Sequence, residues 1–173
     1  SVMNITELDS YNLADAVKFH NRLNPKIWGA DEHLLPDVRQ KLLEIAADFQ
    51  EFLGIDDLAV EDITLSGSNS AYSYTPHSDI DLHLVVRMPE DADDVYQELF
   101  NAKKYQYNDL MDIKIHGADV ELYVQPADDT PVSLGEYSIK NNQWLQVPRR
   151  KRAKIDHSVV KHKYEDLKAR IES

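Results

Sequence analysis

Two aspartates on one predicted strand are the residues of this sequence best suited to do chemistry. Asp79 and Asp81 lie in Ser-Asp-Ile-Asp-Leu, residues 78–82, where acidic and apolar residues alternate. Residues i and i+2 of a strand share a face and lie roughly 7 Å apart along the backbone, so their carboxyl tips can converge on one or two ions. Oxygen ligands of this kind select Mg²⁺ or Mn²⁺, which also bind substrate phosphates. The pair therefore predicts a divalent-metal site for phosphoryl transfer.

A plainer interpretation of the same pair is the solvent face of a half-exposed edge strand. Asp is depleted in strands, however, and two like charges among apolar residues repel each other unless a cation relieves the repulsion. The residues upstream favour the metal. Gly67-Ser68 follows a run of β-forming residues, 58–65, and such a turn offers backbone N–H groups and a hydroxyl to phosphate oxygens. We interpret the two motifs together as a phosphate- and metal-binding site.

These residues resemble the signature of the DNA polymerase β-like nucleotidyltransferase superfamily, which is an apolar residue, Gly, Ser, about ten residues, then Asp-apolar-Asp-apolar. Here ten residues, 69–78, separate Ser68 from Asp79. The resemblance implies an α+β (α/β) core with a mixed sheet backed by helices, two divalent ions and a nucleoside triphosphate donor. It also implies a third carboxylate from a later strand. Glu121 fits that place, and Asp119 is the alternative.

Residues outside the signature more closely resemble predicted nucleotidyltransferases from bacteriophage genomes, over roughly residues 20–145. The role of those proteins is itself a prediction, and the resemblance does not imply which acceptor is used. It is carried by Leu23-Asn24-Pro25, Trp28, Ser78-Asp79-Ile80-Asp81-Leu82-His83, Asp119 to Gln125, Gly135-Glu136-Tyr137-Ser138, Asn141-Asn142 and Trp144.

Four further residues are candidates to bind the nucleotide beside Gly67 and Ser68. His83 continues the acidic strand face and could contact substrate, or orient an aspartate as a supporting residue. Ser78 could bind phosphate or cap its loop, and Lys114 could neutralise phosphate charge. Tyr123 could stack on a nucleobase or simply pack. Others considered for these two roles are the basic residues Lys140, Arg149 and Arg150 and the aromatic residues Tyr72, Tyr74 and Trp144.

Hydrophobic periodicity predicts the elements that position these residues. Apolar side chains recur at three- and four-residue intervals from Pro36 until Gly54, which predicts a helix. Further helices are predicted over 4–23, 91–102 and 155–171. Strands are predicted over 58–65, 79–86, 111–115 and 120–125, the last two as a hairpin through His116-Gly117, with an edge strand within 137–147. In the strand 120–125 the inward side chains are Val120, Leu122 and Val124, and those on the opposite face are Asp119, Glu121 and Tyr123.

Composition predicts one folded domain over the 173 residues. We expect a cloning remnant at 1–2, a helical N-terminal part at 3–54, a catalytic sheet at 55–147, and a basic segment with a C-terminal helix at 148–173. The absence of cysteine excludes thiolate metal sites and thiol nucleophiles. The net charge of −12 argues against broad duplex DNA binding. With no long apolar segment, the sequence predicts no membrane partner and a location in the host cytoplasm.

The leading hypothesis is a magnesium-dependent enzyme that transfers a nucleoside monophosphate from a triphosphate to a hydroxyl of a protein, RNA or small molecule. Asp79, Asp81 and Glu121 would bind the metal ions and carry the catalysis. One alternative is an inactive domain that binds a nucleotide or a partner. Another is an alarmone-type pyrophosphate transferase.

Overall fold

The computed structural model describes residues 19–89, 94–129 and 132–149. It is an α+β fold, in which two helices pack on a mixed six-stranded sheet. The elements are β1 (Ala59–Ser66), β2 (Ile80–Arg87), β3 (Lys114–Ile115), β4 (Ala118–Pro126), β5 (Glu136–Ser138), β6 (Gln143–Gln146), α1 (Pro36–Leu53) and α2 (Asp94–Leu110). A short 3₁₀ turn, Ser68–Ser70, follows β1 directly.

The sheet has the strand order β3-β4-β2-β1-β5-β6. Strands β2 and β4 run parallel and every other pair is antiparallel. A parallel pair requires a long crossover connection, and α2 lies in that connection. In the central strand β2, Ile80, Leu82 and Leu84 are at most 1% exposed, and the residues between them are more exposed. One face of the sheet therefore joins the core, and the other carries the acidic side chains.

Helix α1 begins and ends where its sequence predicts. Proline occupies its first turn, where the missing N–H costs no hydrogen bond. Its buried face packs into the core, and Gly54 ends it in the left-handed conformation with φ of 67°. The buried residues of α1 are Val38, Leu42, Ile45, Ala46, Phe49 and Leu53.

Helix α2 runs further than its sequence predicts, from Asp94 to Leu110 instead of ending at Ala102. Tertiary contacts hold the added turns: Tyr107 packs edge-on against Phe49 and donates a hydrogen bond to Asp48 at 2.8 Å. Because α2 extends to residue 110, the predicted strand 111–115 shrinks to Lys114–Ile115. The predicted hairpin through residues 116–117 is confirmed.

Two further differences concern the ends of the described chain. Residues 19–23 are not helical, so the predicted end of the first helix at Leu23 is wrong; the His20 N–H instead donates to the Tyr72 carbonyl at 2.8 Å. The segment 137–147 forms a hairpin of β5 and β6 instead of one edge strand. The predicted helix over 155–171, the start of the first helix and the residues at 91–93 lie outside the described residues. Within the described part of the chain, no helix has the length and apolar character needed to cross a membrane.

Candidate functional site

Acidic and polar residues of β1, β2 and β4 lie side by side in the sheet, close to the start of β2. In the sheet register, Asp81 of β2 lies beside Glu121 of β4 on one side and beside Ser66 of β1 on the other. Neighbouring strands lie about 4.8 Å apart, and paired residues of parallel strands share a face. Asp79 directly precedes β2, two residues before Asp81. The predicted acidic face is therefore assembled from two strands distant in sequence.

Gly67 directly follows β1, and its lack of a side chain leaves room for the Asp81 carboxylate. Its φ of 85° and ψ of −175° lie in a region that essentially only glycine adopts. A Cβ at this position would collide with Oδ2 of Asp81. Gly67 and the Asp81 side chain are thus packed directly against each other.

Hydrogen bonds tie the turn after β1 to the segment before β2. The Ser68 hydroxyl donates to the Ser78 hydroxyl at 2.6 Å. The buried Asn69 side chain donates to the carbonyls of Ser78 and Asp79, at 2.8 and 3.1 Å. Ser78 also accepts a bond from the Thr75 N–H at 2.8 Å. Ser78 therefore caps its loop, one of its two predicted roles, and it does so beside Ser68.

Asp79, Asp119 and Glu121 line an open cavity of about 270 Å³, and the predicted metal ligand Asp81 is not among its lining residues. Burial raises the pKa of Asp79, and the charges of Glu121 and Asp119 raise it further. This mutual repulsion is the condition that a bound cation would relieve. The cavity is lined by Asp79, Asn108, Met111, Asp112, Ile113, Asp119, Val120 and Glu121.

The two candidates for the third carboxylate have different surroundings. Asp119 pairs in register with Lys114 and accepts a 2.7 Å hydrogen bond from its ammonium group. Glu121 has Asp81 as its register partner. Lys114, predicted to bind the nucleotide, is thus bonded to Asp119, which lines the acidic cavity.

The ring of Tyr123 contacts two neighbouring side chains. His83 stacks on it with centroids 4.9 Å apart, and Lys104 of α2 holds its ammonium group 4.1 Å from the ring centroid. Burial raises the pKa of the Tyr123 hydroxyl, as do the charge of Asp81 and the charge and hydrogen bond of Glu121. Tyr123 therefore packs against its neighbours, which is one of its two predicted roles.

His83 contacts Ser66 and Tyr123. Its Nε2 lies 2.9 Å from the Ser66 hydroxyl. Burial lowers the pKa of His83 to about 4, against the effect of the Gln125 side chain, and the Lys104 charge lowers it further. His83 is therefore neutral at pH 7 and supports the face as a hydrogen-bonding and stacking residue.

The remaining candidates lie away from the acidic cavity. Lys140 donates to the Glu61 carbonyl at 3.3 Å, on the β5 side of the sheet, and Arg149 is exposed near the end of the described chain. Trp144 stacks on Trp28, Tyr72 is buried, and Tyr74 stacks on His20. Arg150 lies outside the described residues.

A second cavity, of about 250 Å³, is also lined by Ser78. Its lining contains Lys26, His20 and His116 and no carboxylate, although acidic residues outnumber basic ones by 31 to 19 in the chain. The two cavities therefore differ in electrostatic character while both border the Ser78-Asp79 segment.

The donor set suits a hard divalent cation, because the carboxylates of Asp79, Asp119 and Glu121 line one cavity and the latter two repel that of Asp79. Within residues 19–89, 94–129 and 132–149, no group of three or more His, Cys, Asp or Glu side chains is already arranged around a common ion position.

Sequence reasoning missed Asn69, Lys104, Asn108 and Asp112 at this site. An asparagine in a polar loop and a lysine or asparagine on a helix carry no local signal of where the fold will place them. Asp112 lay in a segment predicted to be strand, where only the end of α2 brings it to the cavity. For Asn69, its position directly after Gly67-Ser68 was the one available indication.

Comparison of the chain with protein-family models, with curated proteins and with solved structures finds no match.

Proposed function

We propose that this protein is a magnesium-dependent nucleotidyltransferase, which transfers a nucleoside monophosphate from a triphosphate to a hydroxyl acceptor. The observation that carries the proposal is the register of Asp81 beside Glu121, with the Gly67-Ser68 turn packed against the Asp81 carboxylate. Metal-binding carboxylates and a phosphate-binding turn are thereby adjacent, as this reaction requires. Glu121 is favoured over Asp119 as the third carboxylate, because Glu121 is the register partner of Asp81, whereas Asp119 accepts a hydrogen bond from Lys114.

In the reaction, the acceptor oxygen forms a bond to the α-phosphorus, the bond to the leaving pyrophosphate breaks, and the hydroxyl proton passes to solvent. Asp79, Asp81 and Glu121 would hold two Mg²⁺ or Mn²⁺ ions, which when bound lower the pKa of the hydroxyl and neutralise the pyrophosphate. Ser68 and Ser78 would contact the phosphates with hydroxyls that already share a hydrogen bond. The neutral His83 keeps Ser66 and Tyr123 in place behind them.

The test uses each labelled nucleoside triphosphate with Mg²⁺ and a host lysate, and follows transfer of label. We expect Asp81→Asn and Glu121→Gln to lose at least about 100-fold of the activity, since each removes a ligand. The matched control is Asp57→Asn, an exposed aspartate far from the cavity. Full activity in Asp81→Asn would overturn the proposal.

Two other outcomes point to the alternative functions. Triphosphate binding in calorimetry without release of pyrophosphate indicates a binding domain without chemistry. Release of AMP from ATP with GTP as acceptor indicates an alarmone-type pyrophosphate transferase. Labelled nucleoside monophosphate on a macromolecule or metabolite supports the proposed transfer.

A further inference from the structure

We infer that Asn69 is a positioning residue that sets Asp79 for metal binding, and that an N-terminal loop and an aromatic cluster hold Asn69 in place. The inference rests on the proposed function. We call the arrangement the Asn69 brace and define it as Asn24, Trp28 and Asn69. None of the three is in the motif that predicts the metal site, yet the brace contacts both halves of that motif.

Asn69 uses every hydrogen-bonding group of its side chain and is 1% exposed. Its amide nitrogen donates to the carbonyls of Ser78 and Asp79, at 2.8 and 3.1 Å. Its amide oxygen accepts a bond from the Asn24 side chain at 3.0 Å. Its main-chain carbonyl accepts a 2.7 Å bond from the Trp28 indole. Asn69 thereby joins the turn after β1 to the backbone of Asp79.

An aromatic cluster fixes the Trp28 end of the brace. Trp28 is 3% exposed; it stacks on Trp144 with centroids 4.6 Å apart and packs edge-on against Tyr137 at 4.9 Å. Gly135 lies against the Ser70 carbonyl so closely that a Cβ would collide with it. The β5–β6 hairpin and the N-terminal loop therefore close around the 3₁₀ turn from two sides.

This arrangement does more than stabilise the fold, because its donors end on the two carbonyls that flank a metal-binding position. Asp79 lies outside β2, directly before its first residue, so support from outside the strand can help to fix its backbone. The Asn69 side-chain amide provides this support by donating to the carbonyls of Ser78 and Asp79. Supporting hydrogen bonds of this kind typically change metal affinity by about 10- to 100-fold when removed.

The experiment measures binding of Mn²⁺ alone to the full chain by calorimetry, together with kcat and KM for the triphosphate. Asn69→Asp keeps the shape of the side chain but replaces both donors with a carboxylate, which cannot donate to the two carbonyls. We expect it to bind Mn²⁺ about 10- to 100-fold more weakly and to lower kcat, with a smaller change in KM. Asn24→Ala and Trp28→Phe should weaken Mn²⁺ binding in the same direction but by less.

Asn101→Asp, on the exposed side of α2, is the matched control for the added charge, and we expect it to bind Mn²⁺ as the wild type does. Wild-type Mn²⁺ affinity in all three brace variants would overturn the inference while leaving the proposed function intact. If the wild type neither binds Mn²⁺ nor transfers nucleotide, the proposed function falls and the inference with it. If Asn69→Asp does not fold, the Mn²⁺ affinities of Asn24→Ala and Trp28→Phe test the inference instead, because each variant leaves both Asn69 donors intact.

Discussion

At the scale of single residues, Gly67 has a backbone conformation that favours glycine and also leaves room for the Asp81 carboxylate. These two requirements can be separated experimentally. Gly67 and Gly117 both have φ of 85°, but only at Gly67 would a Cβ meet another group, the Asp81 carboxylate. We expect Gly67→Ala and Gly117→Ala each to lose about 1–3 kcal/mol of stability through backbone strain. Only Gly67→Ala should also abolish transfer, because it displaces Asp81. Urea unfolding and a transfer assay measure the two effects, and equal activity in both variants would contradict this account of Gly67.

The carboxylate of Asp79 is repelled by the neighbouring carboxylates of Glu121 and Asp119 when no metal ion is bound. Its raised pKa means that ionised Asp79 destabilises the folded, metal-free protein. The penalty is absent below the pKa of the unfolded chain and fully present above the folded pKa. We therefore expect Asp79→Asn to melt at a higher temperature than the wild type at pH 7 in a chelator, and at nearly the same temperature near pH 3.

Mg²⁺ provides the complementary measurement on Asp79. A cation that binds only the folded protein stabilises it by mass action. The wild type should therefore gain thermal stability on addition of Mg²⁺, and Asp79→Asn should gain less. The exposed Asp57→Asn serves as the control and should respond as the wild type does. A variant Asp79→Asn that is less stable than the wild type at pH 7 without metal would show that repulsion is not the dominant interaction at this position.

At the scale of secondary-structure elements, Asn108 connects α2 to the edge of β4. Its side chain donates to the Leu122 carbonyl at 3.1 Å and accepts from the Leu122 N–H at 3.0 Å, where β3 is too short to pair. Leu122 is 1% exposed, so Asn108→Ala would leave two buried main-chain groups without partners. We expect a loss of about 1–3 kcal/mol in urea unfolding.

The matched control for that loss is Asn101→Ala, an exposed asparagine of the same helix, which should change stability little. Because Glu121 adjoins Leu122 in β4, we also expect Asn108→Ala to lower transfer activity. A stability loss in Asn101→Ala as large as in Asn108→Ala would mean that helix propensity, and not the bond to β4, explains the result.

The elements differ in how far their sequence alone predicts them. Helix α1 has strong periodicity, a proline at its start and a glycine at its end, and all three are local signals. Helix α2 exceeds its predicted end because Tyr107 and Asn108 are held by α1 and β4, which are remote in sequence. The β5–β6 hairpin carries too few residues for its turn to be separated from its strands by periodicity.

At the scale of the whole molecule, His83 makes folding stability depend on acidic pH. Its pKa falls from an unfolded value near 6.5 to about 4 in the fold. The stability from burying neutral His83 is fully present above the unfolded pKa and is lost as the pH falls toward the folded pKa. We expect this residue to account for about 3 kcal/mol of lost stability between pH 7 and 4.

Urea unfolding at pH 7, 5.5 and 4.5 measures this dependence. His83→Gln should flatten it, since glutamine does not titrate, although the variant itself can be less stable at pH 7. The exposed His77→Gln is the control, and it should keep the wild-type slope. An unchanged slope in His83→Gln would show that another group dominates acid unfolding.

The sequence by itself determined the parts of this protein that depend on local pattern. The alternation in 79–86 predicts which face carries the aspartates, and the stop at Gly54 predicts where α1 ends. The run of β-forming residues over 58–65 predicts the strand that ends directly before Gly67. These features depend on side-chain periodicity and on the backbone freedom of glycine, both of which are readable within a few residues.

Only the tertiary structure decided which partners those residues meet. The register that sets Asp81 beside Glu121 joins positions forty residues apart, and no local pattern fixes the register of a parallel pair. Sequence patterns also do not predict that Lys114 bonds to Asp119, that His83 stacks on Tyr123, or that Asn69 bonds to the Ser78 carbonyl. Each depends on how elements pack and how buried polar groups find partners, and these requirements are met only when the whole chain has folded.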